Sequence, residues 1–99
     1  MITPRAYAQM VLYSLYTCAE VRGIGAHAMP LTHPDAWRAL TISRIDACTV
    51  PVTMDASDIR PDIIQRIQTH SSQHMTRWVG IPVTVSVAVV NATLLQRKG

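Results

Sequence analysis

The spacing of apolar residues changes along the chain, and each change marks an element. From Thr3 to Gly23 apolar side chains recur every three or four residues. Tyr7, Ala8, Val11, Leu15, Cys18 and Ala19 fall on one side of a helical wheel. Thr3 can cap such a helix, Pro4 suits its first position, and Gly23 offers a left-handed stop after Arg22. The pattern predicts one helix over 4–22. Its polar side carries Arg5, Gln9, Tyr13, Tyr16 and Glu20, so two tyrosines stand in an otherwise polar stripe.

Residues 23–33 read as a loop, broken by Gly23, Gly25 and Pro30. Thr32, Pro34 and Asp35 then resemble a helix start, predicting a short helix over 34–40 with Trp37 and Leu40 on its buried side. After Thr41 the period becomes two. Cys48, Val50, Val52 and Met54 alternate with Thr49, Pro51 and Thr53, the signature of a half-buried strand. Pro51 has no amide hydrogen, which predicts an edge strand or a bulge there. Residues 41–46 are expected to be extended too, with a bulge or turn where the apolar parity switches between Ile42 and Ile45.

A second long helix is predicted to begin at Pro61, since Arg60 before it is pushed out of helical conformation, and to end at Gly80. Its expected buried stripe is Ile63, Ile67, His70, His74 and Trp78, flanked by Ile64, Ser71 and Met75. A last strand follows, with Ile81, Val83, Val85, Val87 and Val89 facing one way and Pro82, Thr84, Ser86 and Ala88 the other.

These elements make one α+β domain over residues 1–99: a small two-layer fold in the order α-(short α)-β(β)-α-β. A two- or three-stranded sheet packs against two long helices. The composition agrees, at 48% hydrophobic and 15% charged residues, a balance that excludes disorder. Val and Ile outnumber Leu, as a β-branched sheet core requires.

So small a sheet has two edges, and exposed edges invite pairing with other chains. The 81–89 strand is long, apolar and uncharged, protected only by Pro82. A partner chain that continues the sheet or covers its face is the expected remedy, which predicts a homo-oligomer, a larger protein assembly, or both.

Candidate chemistry adds little. His70 and His74 stand one helical turn apart and are weak metal candidates; no glutamate accompanies them, and a third ligand would have to come from His27, His33, Cys48 or an aspartate. Asp55, Asp58 and Asp62 gather at a helix start, where the dipole alone favours acids. Gly23 and Gly25 follow a helix, the wrong context for a dinucleotide loop. Cys18 and Cys48 lie at apolar positions and read as inert core thiols. No cofactor is expected.

The formal charge of +3 permits a nucleic-acid partner, for which Arg44, Arg60, Arg66 and Arg77 would have to converge on one surface. No membrane span or signal peptide is apparent, so the expected setting is a soluble, reducing cytoplasm or an assembled particle. The leading expectation is a non-enzymatic interaction protein, a small subunit of an assembly such as a virion, phage or mobile element. Arg5, Gln9, Tyr13, Tyr16 and Glu20 are its expected interface. A basic nucleic-acid module stands second, and a metal-dependent enzyme using His70 and His74 third.

Overall fold

A computed structural model describes residues 2–28 and 36–92. Helix α1 (Pro4–Tyr16) starts as its sequence dictates: the Thr3 hydroxyl accepts from the Ala6 amide at 3.1 Å, and Pro4 fills the first helical position. It does not run to Arg22. The Ser14 hydroxyl donates to the Val11 carbonyl at 2.6 Å and the Thr17 hydroxyl to the Ser14 carbonyl at 2.9 Å. Hydroxyls that bond back to the preceding turn compete with the helix's own ladder. The chain leaves the helix at Thr17, Cys18 is extended, and a separate one-turn helix α2 (Ala19–Gly23) follows. The left-handed glycine is Gly25 (φ 68°), two residues beyond the expected stop.

His27 then exchanges both backbone hydrogen bonds with Thr53, at 2.9 and 2.7 Å. A short helix α3 (Ala36–Ala39) leads into buried Leu40. The expected helix-start residues Thr32, Pro34 and Asp35, the candidate ligand His33 and the burial of Trp37 lie outside the described residues.

Strand β1 (Thr41–Arg44) pairs antiparallel with β2 (Ala47–Met54), with a register shift between Ile42 and Arg44 where the parity switches. A 3-10 turn (Ala56–Asp58) precedes helix α4 (Pro61–Val79), which opens after an extended Arg60 and closes on Gly80 at φ 86°. Strand β3 (Thr84–Asn91) pairs parallel with β2, Cys48 opposite Val85 and Val52 opposite Val89. The sheet order is β1-β2-β3, and the protein is a small α+β domain.

Pro51 is therefore not on an edge strand: β2 is central. Among the described residues, no strand pairs with its outer side at that point. The β1 pairing ends at Thr49, and the His27 bonds begin at Thr53, so the missing amide falls in a gap between them. A cavity of about 180 Å³, lined by Leu12, Leu40, Val50 and Pro51 among others, lies beside this gap.

Cys48, Val50, Val52 and Met54 are buried under the helices, while Ala47, Thr49, Pro51 and Thr53 on the opposite face are half-buried. Val11, Leu12 and Leu15 of α1 and Ile67 and Met75 of α4 complete the core. The buried stripe of α4 is Ile63, Ile67, Ser71 and Met75. His70 and His74 are half-exposed and Trp78 is 40% exposed, so the expected stripe is rotated by about one residue. Strand β3 also starts later than expected, at Thr84, which leaves Ile81 exposed rather than inward.

Candidate functional site

The rotation of α4 has a cause on its other flank. Gln68, Ser72 and Thr76, four residues apart, turn towards β3 and accept hydrogen bonds from the amides of Val87, Val85 and Val83, each at 2.9 Å. The spacings match: four helical residues advance roughly 6 Å, and two strand residues roughly 6.6 Å. The Ser72 and Thr76 hydroxyls also lie 3.5 and 3.4 Å from the carbonyls of Val85 and Val83. Side chains of α4 thus occupy the place of a fourth strand. The expectation that this strand lacks edge protection is corrected: its edge is closed from Val83 to Val87 by its own chain. The next residue in the helical series is Ile64, which has no acceptor to offer.

The same rotation turns the aromatic residues of α4 outward, against α1. The two helices run antiparallel, because Tyr13 meets Trp78 while Thr17 meets His70. Tyr13 and Trp78 have ring centroids 5.7 Å apart, tilted by 41°. Trp78 meets His74 edge-on at 5.4 Å, and His74 overlaps His70 at 4.4 Å. His70 Nε2 lies 3.1 Å from the Thr17 hydroxyl. Four rings form a continuous ladder along the seam between α1 and α4, with Tyr13 51% and Trp78 40% exposed at one end. Loss of hydration, with His70 and Arg77 nearby, lowers the His74 pKa below the ordinary histidine value.

Of the expected interface stripe, Arg5, Gln9 and Tyr13 are exposed along α1. Tyr16 is half-buried, and its hydroxyl donates to the Ala28 carbonyl at 2.8 Å. Glu20 belongs to α2, beyond the break, where its carboxylate accepts from the Cys18 thiol at 3.5 Å and shares a shallow groove with Arg66 and His70. The stripe is therefore split after Tyr13. Trp78, which sequence reasoning placed in the core, is the partner that Tyr13 gains instead. Arg77 and Gly80 beside it signal an exposed helix end.

The other candidates are dispersed. Among the described residues no group of three His, Cys, Asp or Glu side chains could hold a metal ion, so His70 and His74 have no third ligand there. Arg44 pairs with Asp46 at 3.1 Å on the sheet's β1 edge, and Arg60 pairs with Asp62 at 3.6 Å at the start of α4. Arg66 and Arg77 are exposed on α4, about 16 Å apart along its axis. Cys18 and Cys48 are free and buried. Burial pushes both thiols up, that of Cys48 to about 11. Burial likewise raises Tyr7 to about 12, with the neighbouring Cys48 thiol and Asp46 adding to the effect.

The chain matches no protein-family model, no curated protein and no solved structure. No helix among the described residues is long and apolar enough to cross a membrane.

Proposed function

We propose that this protein is a non-enzymatic interaction subunit whose contact surface is the exposed end of the aromatic ladder, centred on Tyr13 and Trp78. The supporting observation is that two large aromatic side chains, each at least 40% exposed, are packed against one another across a helix seam. Isolated exposed apolar residues are ordinary on any surface, but contiguous ones mark contacts. Tyrosine and tryptophan are also the residues that anchor protein interfaces most strongly. Ile81 is also exposed just past the end of α4, and Gln9, one turn before Tyr13, and Arg77, next to Trp78, are exposed polar neighbours in sequence.

Closure of the first half of the β3 edge by α4 disfavours pairing with another chain there. A second copy extending the sheet at Val83 to Val87 would have to displace the bonds from Gln68, Ser72 and Thr76. The helical seam needs no such rearrangement.

The test is selection of a random-peptide display library on the immobilised full chain, with light scattering of the same protein. Binders or self-association lost in Tyr13→Ala/Trp78→Ala, with the circular dichroism spectrum retained, support the reading. Binders and solution mass that are the same for both proteins overturn it.

A further inference from the structure

The carboxylates of this fold gather at one end among the described residues, and the exposed aromatics sit at the other, where arginines outnumber carboxylates. Helix α1 begins, α4 ends, and β2 and β3 both begin at the same pole, because α1 runs antiparallel to α4 and β2 parallel to β3. Arg5, Arg44 and Arg77 lie at this pole. The carboxylate found there among the described residues is Asp46, which Arg44 already engages at 3.1 Å. Asp55, Asp58 and Asp62 lie at the far pole, around the start of α4, with Arg60 paired to Asp62 at 3.6 Å.

Distance makes this sorting effective. Asp62 and Trp78 are sixteen residues apart on α4, about 24 Å along its axis. The screening length at physiological salt is about 8 Å, and a separation of about 24 Å is roughly three such lengths, so the distant carboxylates offset little of the positive charge at the aromatic end. Arg77 is close enough to His74 to depress its protonation, which places positive charge directly beside the ladder.

Resting on the reading above, we infer that the segment docking on Tyr13 and Trp78 is an acidic peptide carrying an aromatic or aliphatic anchor. The anchor packs on the Trp78 and Tyr13 rings. Its flanking carboxylates face Arg77 on one side and Arg5 on the other, and the positive field speeds and orients the encounter. A second copy of the chain is a poorer fit. A two-fold contact centred on this surface would bring Arg77 and Arg5 of one copy towards the same arginines of the other, like charge against like.

The experiment is the composition of the peptides selected on the full chain, after counter-selection on Trp78→Ala. The expected peptides are rich in Asp and Glu around a Trp, Phe or Leu. Their affinity falls several-fold when salt is raised and several-fold in Arg77→Glu, an exposed change that leaves the fold intact. Trp78-dependent peptides that are neutral or basic, or that ignore Arg77→Glu, overturn the inference while leaving an interaction subunit in place. So does a dimer that Trp78→Ala dissolves in the absence of any selected peptide. Stronger Trp78-dependent binding of single-stranded oligothymidylate than of any selected peptide assigns the surface to nucleic acid instead. Selection of no Trp78-dependent peptide, with no self-association, removes both readings together.

Discussion

The Ser72 hydroxyl lies 2.9 Å from the amide nitrogen of Val85, where a neighbouring strand would place a carbonyl. Thr76 and Gln68 repeat the arrangement one turn to either side, at Val83 and Val87. A helix can do this because its four-residue step nearly equals two residues of strand. The consequence is a three-stranded sheet whose β3 edge is closed without a fourth strand. An apolar strand at an open edge is the feature that most often drives unwanted pairing between chains.

Removal of one acceptor should be felt in stability. Ser72→Ala leaves the Val85 amide unpaired in a part-buried site, at a cost of about 1–2 kcal/mol. Urea unfolding followed by circular dichroism reads this directly. A wild-type midpoint would show that water replaces the hydroxyl without loss.

Removal of all three acceptors should change the solution state. Gln68→Ala/Ser72→Ala/Thr76→Ala exposes the amides of Val83, Val85 and Val87 together. Light scattering is expected to show that the triple variant self-associates more strongly than the parent. If it stays at the parent's mass with its secondary structure retained, the ladder is not what protects the edge.

One buried hydroxyl should be dispensable. Among the described residues the Ser71 oxygen is buried with no hydrogen-bond partner, so it carries a desolvation cost that no bond offsets. Ser71→Ala is expected to be neutral or to stabilise by up to about 1 kcal/mol. Ile67→Ala, which empties the centre of the core, should destabilise by about 2–5 kcal/mol. A loss in the first as large as in the second would mean that the Ser71 oxygen is bonded.

Alkali should destabilise the fold from within. The Cys48 thiol is raised from 9.0 to about 11 and the Tyr7 phenol from 10.0 to about 12, in both cases mainly by burial. The native state disfavours ionisation of each, while the unfolded chain ionises them readily. Their contribution is complete below about pH 9 and is lost as pH rises from there towards 12. Urea midpoints measured across that range should fall, and Tyr7→Phe should shallow the upper part of the fall. Iodoacetamide at neutral pH is expected to label Cys18 and Cys48 only when urea is present.

The sequence foretold the elements better than their orientation. The caps at Thr3, Pro61 and Gly80 act through local chemistry, and so does the parity switch between Ile42 and Ile45. The break at Thr17 was concealed because Cys18 keeps the apolar rhythm that a continuous helix would have. On α4, Ile63 and Ile67 are consistent with a stripe continuing through His70 or through Ser71. The path through His74 and Trp78 offers the bulkier side chains, and the path through Ser71 and Met75 the less polar ones. What decides between them is non-local: Gln68, Ser72 and Thr76 meet the amides that donate to them only once β3 lies alongside. Their recurrence every four residues, uncharged and beside an apolar stripe, is the signal that could have been found. The outward placement of Tyr13 was legible from the wheel, and its pairing with Trp78 followed only from the rotation.

The closed β3 edge, on which the shift from sheet to helical seam depends, is best tested by amide hydrogen exchange on dilute, monomeric protein. Slow exchange is predicted at Val83, Val85 and Val87, with Val85 selectively accelerated in Ser72→Ala. Exchange at these three amides as fast as at unpaired surface positions would mean that the edge is open, and the sheet would again be the place to look for a partner.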